Sequence, residues 1–283
     1  AGGMESMSNA PYLIPSARWG ARMGDAQLID VMMHDGLRCS FDHCAMGESS
    51  DLKNAKLGIT RAQQDEWAAE SQRRAAQAVE TGAFKDEIVT ILVPQRQKDP
   101  IAVELDEGIR ADTTVESLSR LKPAFTTEGT TTAGNASQIS DGAAAVIVAD
   151  RTAAEVAGIP ILAEIVAYGQ IGGPDATLQE RPAEALSVAL KKAGMSPGDL
   201  DLIEINEAFA SVALWSAHML DLDHDKVNVN GGAVALGHPI GATGARLVVT
   251  LVNELRRRGG GIGGATLCGG GGQGDALIIK VGG

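Results

Sequence analysis

Basic side chains, aromatic side chains, cysteines and long apolar runs are all scarce in this 283-residue sequence. It has 24 lysines and arginines against 36 aspartates and glutamates, so its formal net charge is −12. Because a protein that neutralises nucleic-acid phosphates needs a basic face, we expect no nucleic acid as a partner. No apolar run reaches the length of a membrane span, so we expect no membrane partner and a cytoplasmic location.

The three cysteines are too few and too irregularly spaced to form a disulfide framework. Cys39, His43 and Cys44, together with His34, suggest a metal site at first sight. No CxxC pair or recognised ligand spacing supports that site, and the alternative is a loop with ordinary cysteines. We therefore expect no metal. The 44% apolar and 21% charged composition is typical of a globular protein.

From residue 160 onward, short apolar runs alternate with segments of helical periodicity. The pattern predicts strands at 161–168, 200–205, 227–230, 265–267 and 276–281, with helices at 182–193, 207–220 and 243–258. Upstream, a capping box of Thr60 and Gln63, followed by Gly82, predicts a helix over 60–81. The alternation of strands and helices predicts a layered α/β domain.

A glycine-rich stretch with a His-Pro pair separates the predicted strand 227–230 from the helix 243–258. The residue before a proline is pushed out of the α region, so His238 should adopt an extended or turn conformation. It lies just ahead of a helix N-terminus, whose partial positive charge disfavours a second ring proton. A neutral imidazole can act as a base or a hydrogen-bond donor. The alternative is a strand-to-helix turn with an incidental histidine.

Two further polar residues follow predicted strands of the same domain. Cys268 precedes a run of four glycines, whose N–H groups can bind an oxyanion, and its thiol can exchange protons with a substrate carbon. The alternative is a buried cysteine beside a turn. Asn206 either caps the helix 207–220 or positions a water or substrate oxygen. Ligands gather at the carboxyl ends of strands in open α/β sheets, so we expect Asn206, His238 and Cys268 to share a site.

Three ordered segments resemble the motifs NEAFA, GGAxAxGHPxG and CxG of the thiolase family. They are Asn206 to Ala210, Gly231 to Gly241 and Cys268-Gly269-Gly270. The resemblance implies a thiolase-like five-layered αβαβα fold with an inserted loop domain, here with its first half incomplete. Segments 1–8 and 140–159 would be the remnant of the N-terminal half, 9–139 the loop domain that binds coenzyme A, and 160–283 the C-terminal half.

The resemblance also implies an activity: Claisen condensation or thiolysis of acyl-CoA thioesters, with coenzyme A as substrate or product and no other cofactor. His238 would activate a nucleophilic cysteine and, with a water held by Asn206, stabilise an enolate. Cys268 would be the acid/base thiol, and the Gly270 N–H would bind the acyl-enzyme oxyanion. Contacts to coenzyme A or the acyl group are implied at Arg110, Ser117, Gly134, Ser137, Ala208 and Phe209.

Two departures from the family pattern matter. The family's nucleophilic cysteine precedes the segment that 1–8 resembles, and neither Cys39 nor Cys44 has the expected neighbours. We therefore expect the nucleophile to be absent and this chain to be inactive alone. The N-terminal segment would be cleaved, separate, lost, or outside the sequence given. Two acyl-pocket patterns of the family are also altered, which leaves the acyl chain length open. The pattern His-Met-Gly reads Ala45-Met46-Gly47 here, and the pattern Met-Gly-x-Gly-Pro reads Leu178-Gln179-Glu180-Arg181-Pro182.

The leading functional prediction from this resemblance is the Claisen condensation of two acetyl-CoA to acetoacetyl-CoA and coenzyme A, or the reverse thiolysis, through a cysteine acyl-enzyme. The alternatives are a degradative 3-ketoacyl-CoA thiolase for longer chains and a non-catalytic acyl-CoA-binding or assembly subunit. The resemblance implies a homodimer or homotetramer. An incomplete first half also predicts an exposed apolar sheet edge at 143–148 unless another chain covers it.

Overall fold

The structure is a computed structural model that describes residues 1–282. Strands β1 to β10 span Gly2–Ser6, Tyr12–Leu13, Ile29–Asp30, Ile91–Gln95, Lys98–Val103, Asp141–Ala145, Glu164–Gly172, Leu202–Ile205, Gly261–Gly269 and Gln273–Val281. Helices α1 to α8 span Met46–Leu57, Arg61–Thr81, Val115–Ser119, Arg151–Val156, Arg181–Ala193, Ala210–Met219, Ala233–Leu236 and Thr243–Arg257.

The main core surrounds a four-stranded sheet with the order β7-β10-β9-β8. Strand β10 runs antiparallel to β7 and β9, whereas β8 is parallel to β9. Helix α5 packs on one face, where Leu186 and Ile278 are buried, and α8 packs on the other, where Leu251 and Ile279 are buried. Successive strand residues point to opposite faces, so Ile278 and Ile279 supply different cores.

Helix α8 is shared between two sheets, because it also contacts the antiparallel pair β1 and β6. That pair joins segment 1–8 to segment 140–159. The predicted division into domains stays a prediction. The apolar segment after β6 lies on the surface: the side chain of Ile147 is 92% exposed and that of Val148 is 58% exposed. The apolar edge predicted at 143–148 is therefore exposed in this chain.

Residues between β1 and β6 form an excursion that contains α1, α2, the β4–β5 hairpin and α3. Helix α2 begins with the predicted capping box. The Thr60 hydroxyl accepts from Gln63 N at 3.2 Å and Gln63 Oε1 accepts from Thr60 N at 2.9 Å. Gly82, with φ 73°, ends the helix. Because α2 packs against α6 and α7, it fastens the excursion to the C-terminal half.

The predicted strand 227–230 is wrong. Val227 forms a single bridge to Ile203, and the next residue, Asn228, has φ 47°. The Asn228 side chain then accepts from Ile205 N and donates to Ile205 O, both at 2.8 Å. A side-chain amide thus takes the place of strand pairing at the end of β8, an arrangement that hydrophobic periodicity does not reveal.

Helix α6 begins at Ala210, later than the predicted residue 207. The preceding residues are held extended by a neighbouring segment: Ala136 bridges Phe209, and Ala210 N donates to Asn135 O at 2.8 Å. The alternating residues from Ile88 to Val93, which end at Pro94, predict a strand over 88–93. In the structure this strand is displaced to β4, which runs through Pro94 and pairs with β5 in an exposed hairpin. A long-range contact thus decides where α6 begins, and pairing within a hairpin decides the bounds of β4.

Two glycines of β7 offer a matched test of how closely α5 packs on the sheet. A Cβ at Gly169 would collide with the Ala185 carbonyl oxygen of α5, whereas one at Gly172 would meet no atom within 4 Å. We expect Gly169→Ala to lower the free energy of unfolding by about 1–3 kcal/mol, since overpacking displaces the helix. Gly172→Ala should stay within about 0.5 kcal/mol of the parent in urea unfolding. Equal effects would contradict this packing.

Candidate active site

The predicted pair of His238 and Asn206 is brought into contact although the residues are 32 positions apart. The ring Nε2 of His238 lies 3.3 Å from Asn206 Nδ2, and Nδ1 lies 2.7 Å from the Thr243 hydroxyl. The backbone N–H of His238 is held by Gln138 O at 3.3 Å and Ser140 Oγ at 3.2 Å. Both the ring and the backbone of His238 are therefore fixed in place.

The loop that carries His238 lies between α7 and α8 and rests on the β1–β6 sheet. Gly241 N donates to Glu5 Oε2 at 3.3 Å, and a Cβ at Gly142 would lie 2.8 Å from Pro239 Cγ. Gly237 has φ 94°, which an L side chain rarely adopts. His238 is neither helical nor in a strand, as predicted, but it follows the short helix α7 instead of a strand.

The pKa of His238 is lowered to about 4, first by burial and then by the nearby positive charge of Arg246. The ring is therefore neutral near pH 7, as predicted, but the causes are burial and Arg246, whereas the sequence pointed to the helix N-terminus. Arg246 Nη1 pairs with the buried Glu204 carboxylate at 3.0 Å. Burial raises the pKa of Glu204 to about 7, an effect that Arg246 partly offsets.

Asn206 directly follows the carboxyl end of β8, where its backbone N–H donates to Thr266 O of the parallel strand β9 at 3.0 Å. It does not cap α6, because that helix begins after Phe209. Within residues 1–282, the buried Oδ1 of Asn206 has no hydrogen-bond partner. A buried acceptor without a partner costs about 1–3 kcal/mol, and such a group in a native structure calls for a functional explanation.

Cys268 lies inside β9, one residue before its end, and is buried in an apolar cluster. Burial raises the pKa of its thiol to about 12, so the thiol is protonated at neutral pH. A Cβ at Gly270, two residues after Cys268, would lie 2.9 Å from Met46 Cε. The structure thus gathers Cys268 and Gly270 with four predicted acyl-pocket residues, namely Met46, Leu178, Ala208 and Phe209.

The residues predicted to bind coenzyme A are dispersed. Ser137 donates through its hydroxyl to Ala208 O at 2.9 Å, and Gly134 packs against Leu118 of α3. Ser117 uses its hydroxyl within the cap of α3, and Arg110 is exposed. Within residues 1–282, neither Ser117 nor Arg110 hydrogen-bonds His238 or Cys268. Their role in binding coenzyme A stays a prediction.

Glu207, the first residue of the predicted helix 207–220, is a site residue that sequence reasoning missed, because a negative charge there is already explained by the positive N-terminal end of a helix. Its buried carboxylate accepts from Trp67 Nε1 at 2.9 Å, Ser71 Oγ at 2.8 Å, Asn228 Nδ2 at 2.9 Å and Val234 N at 3.0 Å. It therefore ties α2 and α7 to the segment of Asn206. Its place between Asn206 and two apolar residues was the one available signal of a buried carboxylate.

The suspected metal ligands do not assemble. In the described part of the chain, no group of three or more His, Cys, Asp and Glu side chains is placed to hold a metal ion. His34 pairs with Asp35 at 2.6 Å, and Cys39 N donates to Cys44 O at 2.9 Å within a turn.

None of the helices in residues 1–282 combines the length and apolar character needed to cross a membrane.

Comparison with known proteins shows the family to which the chain belongs. The family model of the thiolase N-terminal domain matches residues 1–152, and that of the thiolase C-terminal domain matches residues 159–281. The chain is 54% identical to a probable acetyl-CoA acetyltransferase of Mycolicibacterium smegmatis, over 99% of this chain and 72% of that protein. It is 51% identical to the acetyl-CoA acetyltransferase of Pseudomonas aeruginosa, over 99% of this chain and 71% of that protein.

Solved structures show the same likeness. The crystal structure of the Bacillus anthracis acetyl-CoA acetyltransferase superposes with a TM-score of 0.94 at 44% identity, covering 98% of this chain and 70% of that one. The crystal structure of human mitochondrial 3-ketoacyl-CoA thiolase superposes with a TM-score of 0.94 at 43% identity. The match covers 99% of this chain and 71% of that one. The chain therefore belongs to the thiolase family of acyltransferases and has its α/β fold.

The lowered pKa of His238 predicts a pH dependence of stability. Between about pH 6.5, where an unfolded histidine titrates, and about pH 4, the unfolded chain binds a proton that the folded chain refuses. The contribution of the neutral His238 ring to the free energy of unfolding is therefore fully present above about pH 6.5, and it is lost as the pH falls toward 4. From pH 7.5 to pH 5 we expect the parent to lose about 1–2 kcal/mol more than His238→Gln in urea unfolding. Identical pH profiles would contradict the burial of a neutral ring.

The four hydrogen bonds to Glu207 predict a large effect of an isosteric change. In Glu207→Gln an amide NH2 must face at least one group that can only donate. One carboxylate oxygen accepts from Trp67 Nε1 and Asn228 Nδ2, and the other accepts from Val234 N and the Ser71 hydroxyl. We expect the free energy of unfolding to fall by about 2 kcal/mol or more. Glu66→Gln, at an exposed position of α2, is the control and should change it by less than about 0.5 kcal/mol. If Glu207→Gln left the free energy of unfolding unchanged, the carboxylate would not organise the site.

Proposed function

We propose that this protein interconverts acetoacetyl-CoA plus coenzyme A with two molecules of acetyl-CoA. The observation that carries the proposal is the meeting of His238 with Asn206 beside the strand end that bears Cys268. The acetyl-CoA acetyltransferases that the chain resembles support the choice of reaction.

His238 is proposed as the base that prepares the nucleophile. The S–H bond of a cysteine breaks, its electron pair stays on sulfur, and the proton bonds to His238 Nε2. The thiolate attacks the keto carbon of acetoacetyl-CoA, and the C–C bond breaks to leave an acetyl-enzyme and the enolate of acetyl-CoA. The neutral ring, held at a pKa of about 4, is available for this step at neutral pH.

Asn206, Cys268 and Gly270 are proposed to complete the reaction. The buried Oδ1 of Asn206 can accept from a water that, with His238, donates to the enolate oxygen. The protonated thiol of Cys268 gives its proton to the enolate carbon, releasing acetyl-CoA, and then takes a proton from the incoming coenzyme A thiol. The Gly270 N–H is proposed to bind the oxyanion formed when the coenzyme A thiolate attacks the acetyl carbon. The bond from that carbon to the enzyme sulfur then breaks, the second acetyl-CoA leaves, and the sulfur takes back the proton from His238 Nε2.

The acyl-enzyme cysteine is proposed to be none of the three in this sequence. Cys268 is assigned to proton transfer, and Cys39 and Cys44 lie in a turn where, within residues 1–282, neither hydrogen-bonds His238. We propose that the nucleophile is absent from residues 1–283 and that these residues alone do not turn over. Arg110, Ser117, Gly134 and Ser137 are proposed to contact coenzyme A.

The apolar cluster at Cys268 favours a short acyl group. Leu178 and Phe209 are buried against Cys268, and Met46 packs on the same cluster, so little space adjoins the reacting thiol. The second candidate is a 3-ketoacyl-CoA thiolase for longer chains. The likeness to the human mitochondrial 3-ketoacyl-CoA thiolase is the observation that favours it.

Thiolysis assays of the complete natural protein test the proposal. With acetoacetyl-CoA and free coenzyme A, we expect turnover that His238→Ala lowers by about 10²–10⁴-fold, the usual contribution of a general base. His34→Ala, which changes a histidine whose side chain is 63% exposed, is the matched control and should keep the parent rate. Retained activity in His238→Ala would refute its assignment as the base.

Two additions to this assay separate the alternatives. Faster cleavage of a long-chain 3-ketoacyl-CoA than of acetoacetyl-CoA would favour the second candidate, and coenzyme A binding without cleavage of either would favour a non-catalytic subunit. Trapping with labelled acetyl-CoA, followed by peptide mapping, should place the acetyl group on a cysteine other than Cys39, Cys44 and Cys268. A label on any of these three would contradict the proposed nucleophile.

A further inference from the structure

We propose that Thr243 is a positioning residue whose hydroxyl holds His238 in the tautomer with its proton on Nδ1 and its lone pair on Nε2. The inference concerns the ring that the proposed function uses as a base, and its catalytic meaning rests on that function. The tautomer itself follows from the hydrogen bonds around two atoms of the ring.

The first constraint is on Nδ1. The Thr243 hydroxyl lies 2.7 Å from His238 Nδ1 and 2.9 Å from the carbonyl oxygen of Pro239. A hydroxyl has one hydrogen, and a carbonyl oxygen can only accept. If that hydrogen pointed at Nδ1, two acceptor oxygens would face each other at 2.9 Å. The hydroxyl therefore donates to Pro239 O and accepts from His238, which requires a proton on Nδ1.

The second constraint is on Nε2. This nitrogen lies 3.3 Å from Asn206 Nδ2, and an amide NH2 group can only donate. A proton on Nε2 would set two donors against each other. The assignment of the amide oxygen and nitrogen depends on the surrounding network, and here Thr243 decides it: once Nδ1 carries the proton, Nε2 must accept. The Asn206 amide then turns its NH2 toward the ring and leaves Oδ1 for a different donor.

The Thr243 side chain is well suited to impose this choice. It is fully buried at the first residue of α8, so no competing solvent reaches its hydroxyl. Its backbone N–H also donates to Pro239 O, at 3.0 Å, which fixes the threonine relative to the carbonyl. A β-branched side chain has few χ1 rotamers, and Pro239 has a fixed φ. The hydroxyl is thus preorganised between the carbonyl and the ring.

Nitrogen NMR of the protein labelled in histidine tests the tautomer without any assay of activity. At neutral pH we expect a protonated, pyrrole-like Nδ1 and an unprotonated, pyridine-like Nε2 for the resonances that disappear in His238→Gln. The opposite pattern in the parent protein would overturn the proposal, and this measurement needs no folded Thr243 variant. It also remains decisive if the protein proves to have no thiolase activity.

Three substitutions on α8 then identify the cause. Thr243→Val keeps the shape but removes the hydroxyl, and it should raise the fraction of ring with a proton on Nε2. Thr243→Ser restores the hydroxyl and should restore the parent spectrum. Thr250→Val removes another buried hydroxyl about 10 Å further along the helix, at 1.5 Å per residue, and should leave the His238 spectrum unchanged. A parent-like spectrum in Thr243→Val would overturn the role of Thr243.

The kinetic readout separates positioning from general destabilisation. In the complete natural protein we expect Thr243→Val to lower kcat about tenfold, the factor that one ordinary hydrogen bond is worth, with KM unchanged. Thr243→Ser should recover most of the rate. A loss that appears in KM alone, or one that Thr250→Val reproduces, would contradict a positioning role even where the tautomer is as predicted.

Discussion

The buried carboxylate of Glu207 is the constraint on which the site depends. A charge in the interior is costly unless hydrogen bonds replace water, and Glu207 has four donors from three parts of the chain. Asn206 is its neighbour in sequence, and Val234, one of the donors, lies four residues before His238. Satisfying this carboxylate therefore sets the spacing between the two motif segments, and it makes α2 part of the site's foundation.

The same burial acts in opposite ways on the two titratable groups of the site. Burial lowers the pKa of the His238 ring, because the charged form of an imidazole is the protonated one. Burial raises the pKa of the Cys268 thiol, because the charged form of a thiol is the deprotonated one. Both groups are consequently neutral near pH 7. A neutral imidazole and a neutral thiol on neighbouring segments are the protonation states that the proposed proton transfers require.

Local sequence signals predicted the parts of the fold that local physics controls. The capping box of Thr60 and Gln63 and the glycine after α2 are complete within one helix, so they could be read directly. The later start of α6 could not, because its first turn is held extended by residues 135–137. The missing strand at 227–230 has a similar origin: the Asn228 amide binds the backbone of Ile205, a contact with no periodic signature.

The sequence by itself determined the order of three motifs, the types of most helices and strands, and the expectation that Asn206, His238 and Cys268 work together. The tertiary structure decided why His238 is neutral, that Asn206 faces its ring instead of capping a helix, and that Glu207 and Thr243 support them. The physical reason is range. The hydrogen bonds to Glu207 join residues that are between 21 and 140 positions apart in the sequence. Burial is a property of the packed chain, so neither residue spacing nor helix and strand propensity can reveal it.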